Sequence, residues 1–414
     1  MNFRKIIIIY NSRIPTEKAN GYQTFKTAES LLIQNKEVEI WAPKRFNLKD
    51  LKKRDLKDFY NLSQIPSIVK IDVIDFLSLI KFDNIFSIYL KLISNIILTA
   101  TFSCGVLLRI LFKNDKEAIY FTRDVNLSSF LINLLPSIRR KLFIELHNLP
   151  LIENRRKRQL KILEKCAGII CLTNVMRNEL IKNDVNKYKI IHEPDAVDIN
   201  QFKINITKKE AREILKLPIN RKIFLYIGKF HTLGNEKGIP EIIKSVKYLD
   251  LREEYKIYIV GGPLDRVKKY KQIIQNDKID DDKFLFLGRQ EVKTIPIWLK
   301  AADILLMPHP KTIFYQKYVS PLKLFEYMCS NNPIIASDLD SIREILIHKN
   351  NSYLVDPGSS KSIAKAIQSL LKDENLSTKI AKKAFIDVDN FSWIKRGERI
   401  IKFISERIKF HFLI

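Results

Sequence analysis

The chain has 414 residues, 46% of them hydrophobic and 29% charged, which provides apolar residues for two cores and excludes a multispanning membrane protein. Lysine and arginine number 72 against 46 acidic residues, so the formal charge is +26. This excess attracts polyanions, anionic lipid among them, although a lysine-rich surface explains it equally well. Because no dense basic tail or arm is present, we do not expect nucleic acid as a partner.

Short β-branched runs alternate with amphipathic segments along the chain, which predicts doubly wound α/β domains with parallel sheets. In the first half, strands are predicted at Lys5–Tyr10, Val38–Ala42, Ile68–Val73, Ala118–Phe121, Lys141–Leu146 and Gly168–Leu172. In the second half, they are predicted at Lys222–Ile227, Lys256–Val260, Phe284–Leu287, Ile304–Met307, Pro333–Ala336 and Tyr353–Val355. Several runs are apolar at every position, which is typical of strands covered by helices on both faces.

The periodicity lapses between Pro194 and Thr207, and a fresh strand begins at Lys222. We therefore predict a first domain over residues 1–198 and a second over residues 199–390. Residues 391–414 are predicted to form a closing basic amphipathic helix that packs back toward the first domain.

One apolar segment, Ile85–Leu108, bears on the location of the protein. Its part from Leu92 onward contains no charged residue, but it includes several hydroxyl and amide side chains. A membrane span needs about 20 mainly apolar residues, so spanning is disfavoured. We expect a buried helix, with a membrane-docking helix as the alternative.

The cysteines and the N-terminus indicate a reduced, cytoplasmic compartment. No pair of cysteines has the spacing of a zinc site or of a Cys-x-x-Cys motif. The apolar run Ile6–Ile9 is too short for the core of a signal peptide. The expected location is cytoplasmic, with peripheral contact to an anionic membrane on its inner face.

Ligands of doubly wound sheets bind beyond the carboxyl ends of the strands. After the first strand, a loop ends at Gly21, just before a helix predicted to start near Tyr22. A glycine there lets a ligand approach the backbone, although an ordinary turn is the alternative. The loop is not a Gly-x-Gly-x-x-Gly fingerprint, so nicotinamide cofactors are disfavoured.

The first strand of the second half is followed by Gly228 and Lys229, and then by Lys237 just before a helix. Ammonium groups and free helix amides both favour anions, so this loop is a candidate diphosphate site. Two solvated lysines are the alternative interpretation.

A second candidate anion site begins at Ser320, which we interpret as a helix N-cap, followed by Pro321 and Leu322 in the first turn. Lys323 would then lie where the helix dipole disfavours a cation unless an anion is bound. Glu326 lies on the same face, and its carboxylate would suit a diol. Phosphate and diol together match a nucleotide; an exposed Lys–Glu pair is the alternative.

His147 follows the strand that ends at Leu146, so it lies on the ligand side of the predicted sheet, although a lone histidine is often structural.

Two acidic runs, Asp280–Asp282 and Asp338–Asp340, have the spacing of a divalent-cation motif. Acidic loop triplets are common, and we expect no metal site.

Taken in order, these motifs resemble glycosyltransferase family 4, the group 1 glycosyl transferases, whose GT-B fold has two facing Rossmann-like domains. Further segments with the family's order and spacing are Pro194–Asp198, Ala302–Pro308, Pro333–Ser337 and Phe391–Trp393.

The resemblance implies a nucleotide-sugar donor, transfer with retention of configuration, and no metal or other cofactor. It also implies a glycan or lipid-linked acceptor, such as a surface polysaccharide precursor. Lys229 and Lys237 would neutralise the donor diphosphate and Glu326 would hold its ribose, while His147 would contact the transferred sugar. Gly21, Gly228 and the segment from Ser320 to Lys323 would complete the donor site.

Two departures from the family pattern stand out. Lys229 replaces the usual arginine, and Tyr318 replaces the first of two glutamates that lie eight positions apart, so that only Glu326 remains. The alternatives are another GT-B enzyme, such as a sugar-nucleotide epimerase or a phosphorylase, or a non-catalytic basic binder of membrane or nucleic acid.

Overall fold

The protein is described by a computed structural model that covers residues 3–77, 85–232, 234–251 and 253–412. The chain forms two compact units. The first comprises Met1–Leu172, Met176–Glu193 and Trp393–Ile414, and the second comprises Thr173–Val175 and Pro194–Ser392. The chain thus enters the second unit slightly before the predicted boundary at residue 198, and residues 413–414 of the predicted closing helix lie outside the described residues.

The first unit contains a seven-stranded parallel sheet in the order β3-β2-β1-β4-β5-β6-β7. Its strands are β1 (Lys5–Ile9), β2 (Glu37–Pro43), β3 (Ser67–Ile71), β4 (Ala118–Thr122), β5 (Leu142–Leu146), β6 (Gly168–Cys171) and β7 (Ile190–His192). The six predicted strands are confirmed. The short β7 was not predicted, because three residues are too few to show a pattern.

The order of the strands reverses between β1 and β4. Ile8 of β1 lies opposite Ile40 of β2 on one side and opposite Phe121 of β4 on the other. The chain therefore builds outward from β1 to β3 and then resumes on the other side of β1. In doubly wound sheets, such a reversal opens a crevice for ligands at the carboxyl ends of the two strands.

Helices surround this sheet. They are α1 (Ala19–Ile33), α2 (Lys49–Lys52), α3 (Leu56–Tyr60), α4 (Ile85–Lys113), α5 (Val125–Leu134), α6 (Glu153–Lys165) and α7 (Asn174–Lys182), together with the closing helix, α18 (Trp393–Phe412). Phe403 and Ile404 of α18 belong to the same buried cluster as Ile6 of β1 and Phe25 of α1. The last helix of the chain is therefore part of the core of the first unit.

Helix α4 departs from the sequence-based expectation of a buried helix. Leu98, Phe102 and Val106 are buried, but Ile96 on the other side is 60% exposed and Phe112 is 87% exposed. The expectation was wrong because the segment is apolar on all sides, whereas the rest of the unit covers only one of them. By length and composition, Ser87–Lys113 meets the requirement for crossing a membrane.

The second unit contains a six-stranded parallel sheet in the order β12-β11-β8-β13-β14-β15 and a two-stranded hairpin, β9-β10. The strands are β8 (Lys222–Lys229), β9 (His231–Thr232), β10 (Asn235–Glu236), β11 (Tyr255–Gly262), β12 (Phe284–Leu287), β13 (Ile304–Met307), β14 (Ile334–Ser337) and β15 (Tyr353–Val355). All six strands predicted in this half are confirmed, and the hairpin is additional.

Ten helices belong to the described part of this unit: α8 (Ile199–Phe202), α9 (Lys208–Ile214), α10 (Ile239–Ser245), α11 (Val267–Asn276), α12 (Ile295–Ala301), α13 (Ile313–Lys317), α14 (Leu322–Met328), α15 (Asp340–Arg343), α16 (Ser360–Lys372) and α17 (Glu374–Asp387). Residues of β8 alternate between two cores: Ile223 and Leu225 belong to one buried cluster, Phe224 and Tyr226 to the other. Both faces of the sheet are thus buried, as the uninterrupted apolar run predicts.

Candidate functional site

The loop after β8 brings together most of the residues that were predicted to bind an anion. Gly228, at the end of β8, has a backbone φ of 140°, which residues other than glycine rarely adopt. A Cβ atom at this position would lie 2.6 Å from Nζ of Lys323. The glycine therefore leaves room for the Lys323 side chain to reach the end of the central strand.

Lys323 is buried, with only 8% of its surface exposed. Its Nζ lies 3.9 Å from the centroid of the Tyr226 ring and has no hydrogen-bond partner among the described residues. Burial, reinforced by repulsion from Lys237, holds the pKa of Lys323 well below its usual range, and Glu326 opposes this only in part. The alternative of an exposed Lys–Glu pair is therefore wrong for Lys323.

Lys237 follows the β9-β10 hairpin and precedes α10. Burial, and then repulsion from Lys229, lowers the pKa of Lys237 to about 8. Gly238 is the N-cap of α10 with a φ of 81°, and its added Cβ would lie 1.7 Å from the carbonyl oxygen of Pro308. Only a glycine fits there, which fixes the turn that carries Lys237. Lys229 itself is exposed.

Glu236 holds this loop in place, a role that sequence reasoning missed. One carboxylate oxygen accepts hydrogen bonds from the backbone N–H groups of Lys237 (2.9 Å) and Ile239 (3.4 Å). The other accepts a bond from the Tyr270 hydroxyl at 2.8 Å. Glutamates at helix starts are too common in this chain for the position alone to have identified it.

His309 is a second residue that sequence reasoning missed. It is completely buried two residues after β13, stacks on the Tyr315 ring at a centroid distance of 4.7 Å, and neither ring nitrogen has a hydrogen-bond partner among the described residues. Burial, and then the charges of Lys237 and Lys323, hold the pKa of His309 well below its usual range. Its place just after a predicted strand was the available signal.

The predicted capping role of Ser320 is wrong. Helix α14 begins at Leu322, its N-cap is Pro321, and no side chain of the described residues caps it. The Ser320 hydroxyl instead accepts a hydrogen bond from the backbone N–H of Asp195 at 2.9 Å. Since α14 has only seven residues, the attraction of an anion to its dipole is small, and nearby charge depends mainly on the lysine side chains.

Glu326 and Tyr318 differ in their surroundings. Glu326 is half-buried, and this burial raises its pKa to about 7 against the opposing effect of Lys323. Tyr318, at the position of the family's first glutamate, is 2% exposed and follows the end of α13. It supplies no carboxylate to the site. Binding of a ribose diol by Glu326 stays a prediction.

In the first unit, His147 directly follows β5 and a third of its side chain is exposed. Its Nε2 lies 2.8 Å from an oxygen of Glu145, which is completely buried. The same oxygen is 2.7 Å from the guanidinium of Arg123, and the other accepts a bond from Arg396 at 2.8 Å. His147 is therefore oriented by a carboxylate that two arginines hold in place.

A cavity of about 770 Å³ lies in the first unit where the strand order reverses, and His147 is part of its wall. Its lining includes Ile9 of β1, Thr122 of β4 and Leu146 of β5, all at the carboxyl ends of their strands. This position and size match the binding pockets of doubly wound proteins.

Gly21 lies in the first turn of α1, which begins at Ala19 rather than near Tyr22. A Cβ at Gly21 would lie 2.4 Å from the Thr16 side chain and 2.8 Å from the Tyr60 hydroxyl. The close approach that requires this glycine is made by the protein itself, and a role in donor binding stays a prediction.

The two acidic runs serve local structure. Asp280 accepts a hydrogen bond from the backbone N–H of Asp282, and Asp338 forms an ion pair with Arg343. Within the described ranges, no group of three or more His, Cys, Asp or Glu side chains is arranged to hold a metal ion.

Two doubly wound parallel sheets, with a closing helix that belongs to the first unit, define the GT-B class of fold. A crystal structure of Anabaena HepE in complex with UDP-glucose shares this fold, with a TM-score of 0.68 and 17% identity, over 97% of this chain and 99% of that one. Residues 207–386 match the sequence profile of the family Glycosyl transferases group 1. This part of the chain therefore resembles the group 1 glycosyl transferases, as its motifs indicated.

Curated relatives match between 40% and 62% of the chain. An uncharacterized glycosyltransferase of Methanocaldococcus jannaschii is 26% identical over 255 residues, which is 60% of each chain. A phosphatidyl-myo-inositol mannosyltransferase of Mycolicibacterium smegmatis is 23% identical over 244 residues, which is 58% of this chain and 57% of that protein. The match thus spans less than two thirds of the length of these relatives.

Proposed function

We propose that the protein transfers a sugar from a nucleotide-diphosphate donor to a hydroxyl group of a glycan or lipid-linked acceptor, with retention of anomeric configuration. The donor diphosphate binds at the loop after β8 in the second unit, and a contact of His147 with the transferred sugar stays a prediction. The reaction requires no divalent cation or other cofactor.

The observation that carries this proposal is the uncompensated positive charge at the end of β8. Lys323 is buried without a hydrogen-bond partner among the described residues, and the pKa values of both Lys323 and Lys237 are lowered. A buried cation without a partner costs several kcal/mol, and this cost is removed when an anion binds. A diphosphate, with two adjacent negative charges, suits a site formed by Lys229, Lys237 and Lys323.

The same groups suit the chemistry. When the bond between the anomeric carbon and the diphosphate oxygen breaks, negative charge accumulates on that oxygen. Fixed cations stabilise the transition state more than the bound substrate, because the charge is larger there. Lysine side chains can supply this charge without a metal ion, and His309, which is buried nearby, cannot easily become a further cation.

Calorimetry with UDP-glucose and a panel of other nucleotide sugars tests the donor assignment. At about a hundred times Kd, a bound donor should stabilise the fold by about 2.7 kcal/mol. Release of nucleoside diphosphate should require an acceptor and persist in EDTA, and the anomeric proton coupling of the product should match that of the donor. Absence of binding by every nucleotide sugar would refute the proposed function, and an inverted product would refute retention.

We further propose that the protein is cytoplasmic and docks on the surface of an anionic membrane through helix α4. The exposed side of this helix carries large apolar side chains along about 36 Å, at 1.5 Å per residue from residue 88 to residue 112. They are Ile88, Tyr89, Leu92, Ile93, Ile96, Leu108, Leu111 and Phe112, each more than half exposed. Since the opposite side of α4 is buried in the first unit, the helix is expected to lie on the bilayer rather than span it.

Two loops beside α4 extend this surface and add positive charge. Lys44 and Arg45, after β2, form ion pairs with Asp72 and Asp75, after β3, while the backbone of Ile74 donates a hydrogen bond to Thr101 of α4. Phe46 and Leu48 of the first loop, and Ile74 and Phe76 of the second, are all exposed. The first loop is followed in the sequence by four exposed cations, Lys49, Lys52, Lys53 and Arg54. Apolar side chains flanked by cations suit anionic headgroups.

Sedimentation with vesicles tests the docking surface. The protein should bind vesicles that contain phosphatidylglycerol, be released at high salt, and bind pure phosphatidylcholine weakly. Ile93→Asn/Ile96→Asn should reduce binding about tenfold or more, while Leu264→Asn, an exposed apolar residue of the second unit, should leave it unchanged. Equal binding of both vesicles, or no effect of the α4 variant, would contradict the proposal.

A further inference from the structure

The start of α6 contains four consecutive cationic side chains that differ in their partners. Arg156 forms an ion pair with Glu179, and Lys157 forms one with Glu153 at 3.1 Å. Arg155 and Arg158 have no acidic partner among the described residues, and these are the two that line the cavity of the first unit. Three residues apart on a helix, they project from the same face. The cations without a partner are therefore those directed at the cavity.

The other charged groups of the cavity wall are already paired. Arg123 contacts Glu145 at 2.7 Å and donates a hydrogen bond to Gln23 at 3.0 Å. One carboxylate oxygen of Asp124 accepts two backbone N–H groups at the start of α5, and the other accepts the side-chain amide of Asn11 at 3.2 Å. Asp124 is the single carboxylate among the lining residues, whereas Arg123, Arg155 and Arg158 are three cations, so the lining carries an excess of positive charge.

The floor of the cavity has unused polar groups. The side-chain oxygens of Asn11 and Asn20 are buried and have no hydrogen-bond partner among the described residues. Asn126, Asn148 and Gln159 add further amides to the wall. A buried amide oxygen without a donor is costly, and a ligand with several hydroxyl groups would satisfy such atoms. The lining therefore suits a polyhydroxylated ring at the floor and an anion at the Arg155–Arg158 edge.

We propose that this cavity binds an acceptor sugar or polyol that carries a phosphate group, and that Arg155 and Arg158 bind that phosphate. Two guanidinium groups on one helix face can engage phosphate oxygens in pairs, which gives orientation as well as affinity. The assignment of this ligand as the acceptor rests on the proposed glycosyl transfer. The phosphate belongs either to a soluble sugar phosphate or to the linkage between a sugar and a lipid, since both present the same group.

Binding measurements on the full-length protein test this site without depending on turnover. Calorimetry would compare inorganic phosphate, hexose 6-phosphates, the corresponding neutral hexoses, and a polyprenyl-diphosphate-linked hexose in detergent. We expect a phosphorylated probe to bind at least tenfold more tightly than its neutral counterpart. Arg155→Gln/Arg158→Gln should abolish this preference, whereas Arg156→Gln, which removes a paired cation of the same helix, should keep it. Preference for the lipid-linked over the soluble probe identifies the source of the phosphate.

The outcomes separate this proposal from the proposed transfer. UDP-glucose affinity, measured in the same variants, should not change, because Arg155 and Arg158 belong to the first unit. If neither inorganic phosphate nor any phosphorylated probe binds more tightly than a neutral sugar, or if Arg156→Gln loses the preference equally, the phosphate site is refuted. If phosphorylated probes bind as expected but no nucleotide sugar does, the site stands and the proposed transfer fails.

Discussion

Glu145 and Arg396 form a fully buried ion pair, with 2.8 Å between their charged atoms, although 251 positions separate them in the sequence. Glu145 is the penultimate residue of the fifth strand of the first unit, and Arg396 comes from the closing helix. Burial alone would raise the pKa of Glu145, but the guanidinium groups of Arg123 and Arg396 hold it well below its usual range. The closing helix thus contributes to the carboxylate that orients His147.

Arg396→Met tests the importance of this pair for stability. Removal of one partner leaves the Glu145 carboxylate buried with less compensation, so we expect a loss of about 3 kcal/mol in the free energy of unfolding, measured in urea. Glu145→Gln/Arg396→Met should recover part of this loss, because the fully buried carboxylate is then removed as well and only the part-buried Arg123 loses its acidic partner. An additive effect of the two substitutions in the double variant would contradict direct coupling between them.

His147 should respond to the same pair. Glu145→Gln keeps the shape of the side chain but removes the charge that His147 faces, so kcat for sugar transfer should fall while the Kd for UDP-glucose stays constant. Urea unfolding of the same variant separates this from a general loss of structure, because an intact fold and a constant Kd leave the orientation of His147 as the affected property. An unchanged kcat would exclude Glu145 as a positioning residue.

The sheets were predictable from the sequence because their strands are buried on both faces. The run from Ile6 to Ile9 needs no knowledge of its neighbours to be recognised as a central parallel strand. The burial of helix α4 was predicted wrongly for a related reason. An apolar sequence shows that a segment is stabilised by leaving water, but it does not show which part of the protein, if any, covers it. Whether Ile96 packs against other residues or is exposed at the surface depends on tertiary packing, which cannot be derived from the periodicity of the sequence.

Alanine substitutions at Lys229 and Lys237 should each weaken donor binding about ten- to a hundredfold, since a charged hydrogen bond contributes roughly 1.5–3 kcal/mol. The half-buried Lys237 should have the larger effect, because the exposed Lys229 is screened by solvent. Calorimetric titration with UDP-glucose provides the measurement. Wild-type affinity in both variants would remove the loop after the first strand of the second unit from the donor site.

Donor binding should also depend on pH through Lys237, whose pKa is about 8. A bound diphosphate favours the protonated amine and raises this pKa, so the protein should take up protons when UDP-glucose binds near pH 8. Affinity should be constant below about pH 7 and fall as the pH rises through 8. Titrations in two buffers of different ionisation enthalpy measure the uptake. Lys237→Arg, which stays charged, should bind UDP-glucose without this pH dependence. If the pH dependence persists in this variant, the proton that is taken up on binding belongs to another group.

Part of the candidate site could be predicted because glycines and lysines next to strand ends are visible in the sequence. The contacts between them were not. The sequence after Ser320 does not predict that the Lys323 side chain is directed into the protein beneath Gly228, because this orientation depends on how α14 packs against the sheet. His309 and Glu236 were missed since their roles follow from burial and from partners distant in the sequence.

Lys323→Met best separates function from structure at this site. Methionine keeps much of the side-chain volume over the Tyr226 ring but removes an amine that is buried without a hydrogen-bond partner among the described residues. The unliganded protein should therefore be as stable as the wild type, or more stable by about 1–2 kcal/mol, because removal of buried charge is often neutral or favourable. Donor binding should weaken about ten- to a hundredfold, since the diphosphate loses a cation.

Lys244→Met, at an exposed position of α10, is the matched control and should change neither quantity. The measurements are urea unfolding without ligand and the Kd for UDP-glucose. A destabilised variant with wild-type donor affinity would mean that Lys323 serves only the packing of the second unit, and the donor site would then have to lie elsewhere.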